Sequence, residues 1–128
     1  MVDDDSNIRR IAQIALSRMG PWDVFLASCG SEAMLLIETM KPEVVLLDVM
    51  MPEEDGPTVL RKIRALPGGE DIPVIFITAK VQRHEVDDLM DLGVAGIVSK
   101  PFDVKSLSSE VLSILEQWQV QESVCGDR

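Results

Sequence analysis

The sequence predicts an α/β fold, a parallel sheet with helices on both faces. Three observations predict it. Val44–Leu47 and Val74–Ile77 are short, unbroken apolar runs, which suits strands buried on both sides. Around them, apolar residues recur at the three- and four-residue spacing of helices that lie on a core. Short strands alternating with helices are joined by right-handed crossovers, which keep the sheet parallel.

The elements follow in order. A first helix is predicted over Asn7–Met19, with Ile8, Ile11, Ala15 and Met19 on its inward stripe and Asp5 or Ser6 as its cap. A short strand follows at Val24–Ala27. Ser31 suits the cap of a second helix to Met40, buried through Ala33, Leu36, Ile37 and Met40, and Lys41-Pro42 ends it. Val44–Asp48 is an apolar run closed by an acid and reads as a central strand. Pro57 fits the first turn of a third helix reaching about Leu66, and Pro67-Gly68-Gly69 stops it. Val74–Thr78 is another buried strand, followed by a helix near Arg83–Leu92. Gly96–Ser99 makes the last strand and Val104–Gln119 the last helix. Only Met1 and Val2 precede the acidic run Asp3-Asp4-Asp5, so the first strand is nearly absent: either the chain begins inside it, or residues before it are not included. Residues 1–121 read as one domain, and 122–128 as a polar, frayed C-terminal tail.

Composition narrows the function. The chain has 128 residues, of which 46 % are hydrophobic, enough for one packed core. Its formal net charge of −10 argues against direct nucleic-acid binding, which needs a basic surface, and fits protein partners or cations. Cys29 and Cys125 lie far apart, no secretory segment precedes them, and His84 is the single histidine. A disulfide framework and a Cys/His metal site are both disfavoured. No apolar run is long enough to span a bilayer, and the expected setting is the cytoplasm.

Open parallel sheets bind ligands outside the carboxyl ends of their strands. The polar residues at those ends are Asp3, Asp4 and Asp5, then Asp48, Thr78 and Lys100. Each has an ordinary use by itself. Acids at Asp3–Asp5 can charge and cap a helix, and Asp48 can open an Asx-turn before Met51-Pro52. Thr78 is a common strand residue, and Lys100 a common surface one. Together they set carboxylates, a hydroxyl and an ammonium around one crevice. Clustered carboxylates call for a cation, and oxygen ligands that leave room for water suit Mg²⁺. Beside that metal Asp48 is an ionised nucleophile, and Lys100 and Thr78 can meet the oxygens of an incoming phosphoryl group.

The motifs Val2-Asp3-Asp4-Asp5, Val44–Asp48 with Met51-Pro52 and Asp55-Gly56, Ile77-Thr78-Ala79, Ala95-Gly96 and Lys100-Pro101-Phe102 occur in that order. Gaps of 44, 30 and 22 positions separate Asp4, Asp48, Thr78 and Lys100. In these the chain closely resembles the receiver domain of bacterial two-component response regulators, over essentially its whole length. The resemblance implies a flavodoxin-like (CheY-like) three-layer sandwich, with a five-stranded parallel sheet of order 2-1-3-4-5 and five helices. It implies that Asp48 is the phosphoacceptor, supplied by a sensor histidine kinase or histidine phosphotransfer protein. Asp4, Asp48 and the backbone carbonyl of Met50 would hold Mg²⁺, with Asp3 acting mainly through water. Thr78 and Lys100 would hold the phosphoryl oxygens, Thr78 moving as the switch, and a cis Lys100–Pro101 bond is usual.

The sequence departs from the family at Ile97, a switch position that is often aromatic, which puts an aromatic readout in doubt. Met50 and Lys80 occupy the positions that tune hydrolysis of the acyl phosphate, and an apolar Met50 is expected to slow it. Docking to the histidine-bearing bundle would fall to Ile8, Ile11, Pro101 and Phe102. Plain core packing competes for Ile8 and Ile11, whereas Phe102, after a proline in a loop, is expected to be exposed. The implied domain is a phosphoacceptor switch rather than a turnover enzyme, a monomer or weak dimer, with an effector the sequence does not name. An aspartyl-nucleophile phosphohydrolase would need an acid where Met50 stands. A degenerate receiver would lack one of the four residues that are all present. A nucleotide or flavin binder would want a Gly- or hydroxyl-rich loop where three acids stand.

Overall fold

The computed structural model describes residues 1–20, 22–79 and 83–125. Among them three strands form one parallel sheet in the order β1 (Val45–Asp48), β2 (Val74–Thr78) and β3 (Gly96–Ser99). Val45 pairs with Val74 and Asp48 with Ile77, while Ile75 pairs with Gly96 and Thr78 with Ser99. Five strands were expected, and the two others are reduced to single bridges. Val2 bridges both Ala27 and Leu47 in parallel. Its N–H donates to Leu46 O at 2.8 Å, and its carbonyl accepts from Asp48 N at 2.9 Å. Ala27 N donates to Met1 O at 2.9 Å and Asp3 N to Ala27 O at 3.1 Å, a pairing only one bridge long.

Among the described residues five α-helices pack around the sheet: α1 (Ser6–Met19), α2 (Gly30–Met40), α3 (Gly56–Ala65), α4 (Arg83–Met90) and α5 (Leu107–Cys125). The strands explain why both faces are covered. Val45, Leu47, Val74 and Phe76 point one way, into a cluster with Ala33 and Ile37 of α2 and Val59, Leu60 and Ile63 of α3. The alternate residues Leu46, Ile75 and Ile77 point the other way, into a cluster with α1 and α5.

Several boundaries move for local reasons. Asp5 caps α1, accepting from the N–H groups of Asn7 and Ile8. The inward stripe of α1 is Ala12, Ala15 and Leu16; Ile8 is half-buried and Ile11 is 38 % exposed. The Met19 side chain lies outside the described residues. In α2 the cap position is Cys29, not Ser31, and no side chain caps it. Glu32 instead reaches back to accept from Ser28 N at 2.7 Å, which starts the helix earlier. Met40, expected inside, is exposed. Lys41 closes α2 in the left-handed conformation, φ 48°, with its N–H on Ile37 O. A short 3-10 turn, Gly69–Asp71, follows the Pro-Gly-Gly stop.

Helix α4 ends at Met90, two residues before the expected end, and Gly93 (φ 83°) carries the turn out of it. Helix α5 begins at Leu107, three residues later than expected. Asp103 holds an Asx-turn there, accepting from Lys105 N at 2.9 Å. The helix continues through Cys125, so Glu122–Cys125 of the expected tail are helical, and 126–128 lie outside the described residues.

The α3 start fixes the loop that leaves β1. Asp55 Oδ1 accepts from Thr58 N at 2.9 Å, and Gly56 N donates to Val49 O at 2.8 Å. A Cβ on Gly56 would lie 2.8 Å from Asp48 O and 2.9 Å from Val49 Cα, both backbone atoms. Gly56→Ala is therefore expected to cost about 1–3 kcal/mol, read as a lower urea midpoint. An unchanged midpoint would mean that the loop yields freely and does not fix the strand end.

Candidate functional site

The sequence placed its chemistry at strand ends, and the structure brings much of it together. Asp48 closes β1, Thr78 closes β2, and Asp3 follows the bridging Val2. Lys100 comes directly after β3 and is tied to the sheet by its N–H, which donates to Thr78 O at 2.8 Å. The side chains of Asp3, Asp48 and Thr78 are all buried, and Asp3 is wholly so.

The Lys100 ammonium joins two of these acids. Its Nζ lies 2.8 Å from Asp3 Oδ2 and 3.2 Å from Asp48 Oδ1. Asp3 Oδ1 accepts from Asp5 N at 2.9 Å, so the buried carboxylate is held from both sides. Asp4 is exposed beside them, and carboxylate oxygens of Asp3, Asp4 and Asp48 lie within 4.8 Å of one another. Burial pushes Asp48 up to about 6, and the Asp3 charge adds to the shift while Lys100 opposes it. Burial works against the charge on Lys100, but Asp3 and Asp48 outweigh it and hold the ammonium above its usual range.

One ammonium is therefore shared by two carboxylates, with a third, that of Asp4, within 4.8 Å of them. Asp48 is raised first by its burial and second by the Asp3 charge beside it. Three carboxylates are hard oxygen donors, so the residues fit a divalent cation of the Mg²⁺ or Ca²⁺ kind.

The remaining expected residues are spread around this centre. The Met50 side chain is 69 % exposed, and its N–H approaches Asp48 Oδ1 at 3.4 Å. Ile97 pairs in register with Phe76 and is half-buried against the α2–α3 cluster. The Lys100–Pro101 bond is cis. Pro101 is exposed, but Phe102, expected in solvent, is half-buried and packs on the α1–α5 cluster. Lys80 lies outside the described residues. Sequence reasoning missed Arg9, whose Nη1 donates to the Asp3 carbonyl at 2.6 Å. Its position, one helical turn after the Asp5 cap, was the available signal.

A family model for the response regulator receiver domain matches residues 1–112. The chain belongs to that family. Among curated relatives of this receiver domain, the PhoP regulatory protein of alkaline phosphatase synthesis from Bacillus subtilis is 33 % identical over 120 residues, covering 94 % of this chain and 49 % of that protein. The probable transcriptional regulator ycf27 of Pyropia yezoensis is 36 % identical over 117 residues, 91 % of this chain and 46 % of its own length. The receiver domain thus spans about half the length of the curated relatives it matches. In three dimensions it resembles the signal receiver domain of a signal transduction histidine kinase from Syntrophus aciditrophicus, at TM-score 0.76 and 25 % identity, covering 91 % of this chain and 87 % of that one. The chemotaxis response regulator CheY4 of Vibrio cholerae shares the fold at TM-score 0.81 and 24 % identity, over 88 % of this chain and 93 % of that one. Among the described residues no helix is long and apolar enough to cross a membrane.

Proposed function

We propose that this receiver domain is a phosphoacceptor switch. Asp48 takes a phosphoryl group from a phosphohistidine on a sensor histidine kinase or histidine phosphotransfer protein. The observation that carries the proposal is the Lys100 ammonium set between Asp3 and Asp48 at adjoining strand ends. A structural ion pair has no need of a third carboxylate within reach, and Asp4 supplies one.

Asp3, Asp4, Asp48 and the Met50 carbonyl would hold Mg²⁺, with Asp3 reaching it through water. When bound, the cation neutralises charge on the transferring phosphoryl group. The chain's own residues do the rest. An Asp48 carboxylate oxygen forms the new P–O bond as the P–N bond to histidine breaks, and the imidazole leaves with the electron pair. Lys100, already 3.2 Å from Asp48 Oδ1, turns toward a phosphoryl oxygen. The Thr78 hydroxyl, one strand over, takes another, and its movement with that of Ile97 carries the change to the partner-binding surface.

The same reading assigns docking to Ile8, Ile11, Pro101 and Phe102, of which Ile11 and Pro101 offer the open surface. It takes the Val2 and Ala27 bridges as vestiges of the first two strands in a 2-1-3-4-5 order, Ala27 at the edge and Val2 beside β1. Residues 1–121 form the working unit, in the cytoplasm, as a monomer or weak dimer. The unit catalyses its own phosphorylation and dephosphorylation without being a turnover enzyme.

Intact-mass spectrometry after incubation with Mg²⁺ and acetyl phosphate tests this. A single hydroxylamine-labile phosphoryl adduct is expected, lost with EDTA and lost in Asp48→Ala. No adduct on the native chain, or an undiminished one in Asp48→Ala, would sink the proposal.

A further inference from the structure

We propose that Arg9 is a positioning residue for the cation site: its guanidinium, bonded to the Asp3 carbonyl, fixes the peptide that places the Asp4 carboxylate. The inference rests on the proposed cation-dependent function.

Among the described residues, three polar contacts of Asp3 come from the strand–loop framework. Its N–H donates to Ala27 O at 3.1 Å, Oδ1 accepts from Asp5 N at 2.9 Å, and Oδ2 meets Lys100 at 2.8 Å. A further one comes from α1. Arg9 Nη1 donates to the Asp3 carbonyl at 2.6 Å, a charge-assisted bond from a half-buried side chain. That carbonyl belongs to the Asp3–Asp4 peptide, so its direction sets the plane from which the Asp4 side chain departs. Asp4 itself is exposed and lies between two anchored neighbours, Asp3 and the helix cap Asp5. Without Arg9 the peptide between those anchors is free to rotate, and the oxygen of Asp4 leaves the group of three.

A nearby positive charge would by itself repel a cation, so the sign of the effect is decided by which role dominates. The contact of Arg9 with the site is its 2.6 Å bond to the Asp3 carbonyl, so Arg9 acts on the site chiefly through that peptide.

Calorimetric Mg²⁺ titrations of the full chain separate the roles. Arg9→Met, which keeps an apolar stem, is expected to weaken Mg²⁺ about tenfold, and Arg9→Lys to recover part of the loss. Asp4→Asn weakens Mg²⁺ in the native background and is expected to weaken it less in the Arg9→Met background, because Arg9 works through Asp4. Far-UV circular dichroism establishes that each variant is folded. Equal or tighter binding by Arg9→Met overturns the proposal, as does a drop in melting temperature with unchanged affinity. Independent, multiplying effects of Arg9→Met and Asp4→Asn overturn it too. If the native chain binds Mg²⁺ and Arg9→Met binds it equally well, only this inference fails; if the native chain binds none, the proposed function fails with it.

Discussion

Lys100→Met is expected to slow phosphoryl acceptance by about 100-fold or more, yet to tighten Mg²⁺ binding. The two effects have opposite signs because the ammonium does two things. It sits 2.8 Å from Asp3 and 3.2 Å from Asp48, so it competes with any cation for the same oxygens. Removing a positive charge at such range favours a divalent ion by Coulomb attraction alone. For the incoming phosphoryl group the ammonium is an ally, since it meets charge that spreads onto the equatorial oxygens. Deleting one such preorganised donor typically costs about 10²–10³ in rate. The fold pays as well. Breaking a buried ion pair from one side costs roughly 3–5 kcal/mol, but the Lys100 side chain is 17 % exposed and water reaches the crevice, so about 1–3 kcal/mol is expected here. Rates with acetyl phosphate at saturating Mg²⁺, Mg²⁺ calorimetry and urea unfolding measure the three quantities. A Lys100→Met chain labelled at the native rate would remove Lys100 from the chemistry and leave it a structural tie.

What the sequence revealed, and what it hid, follows from how many residues carry each signal. β2 and β3 were read to the residue because strands buried on both faces tolerate few polar residues, and Thr78 and Ser99 end them. Asp48, Thr78 and Lys100 stood out for the same reason, as polar groups where apolar runs stop. Helix faces were less legible. Ile11 and Ala12 are neighbours around α1, and the chain buries the small residue, which lets α1 approach α5 closely, and leaves the larger one 38 % exposed. Hydrophobicity alone ranks them the other way. The α2 start was misread because Ser31 is a good cap in isolation, whereas the longer reach of Glu32 to Ser28 decides where the helix begins. Phe102 was assigned to solvent from its place after Pro101, but the turn held by Asp103 folds the segment back onto the α1–α5 cluster. Arg9 could not be found by strand-end logic at all, because its contact is with a backbone carbonyl and not with a motif side chain.

Without a cation, Asp48→Asn is expected to make the folded domain more stable at neutral pH. Asp48 is raised from 3.8 to about 6, by burial first and by Asp3 second. Between those values the folded state keeps the proton that the unfolded chain has lost, so native stability falls as pH climbs through this range and stays lower above it. Asparagine fills nearly the same space and carries no charge, which removes that penalty. Lys100 keeps its 2.8 Å contact with Asp3, so the substitution does not orphan the ammonium. A shift of this size corresponds to about 3 kcal/mol at most, and solvent at the mouth of the crevice reduces it to roughly 1–2 kcal/mol. Urea titrations in EDTA should therefore show Asp48→Asn ahead of the native chain at about pH 7.5, with the gap closing toward pH 4. Mg²⁺ at high concentration should narrow or reverse the gap, because an ion that binds only the folded native chain stabilises it by mass action. A gap that is constant with pH would mean that Asp48 is not strained by its neighbours. The acid cluster would then be a structural feature rather than a site waiting for a cation.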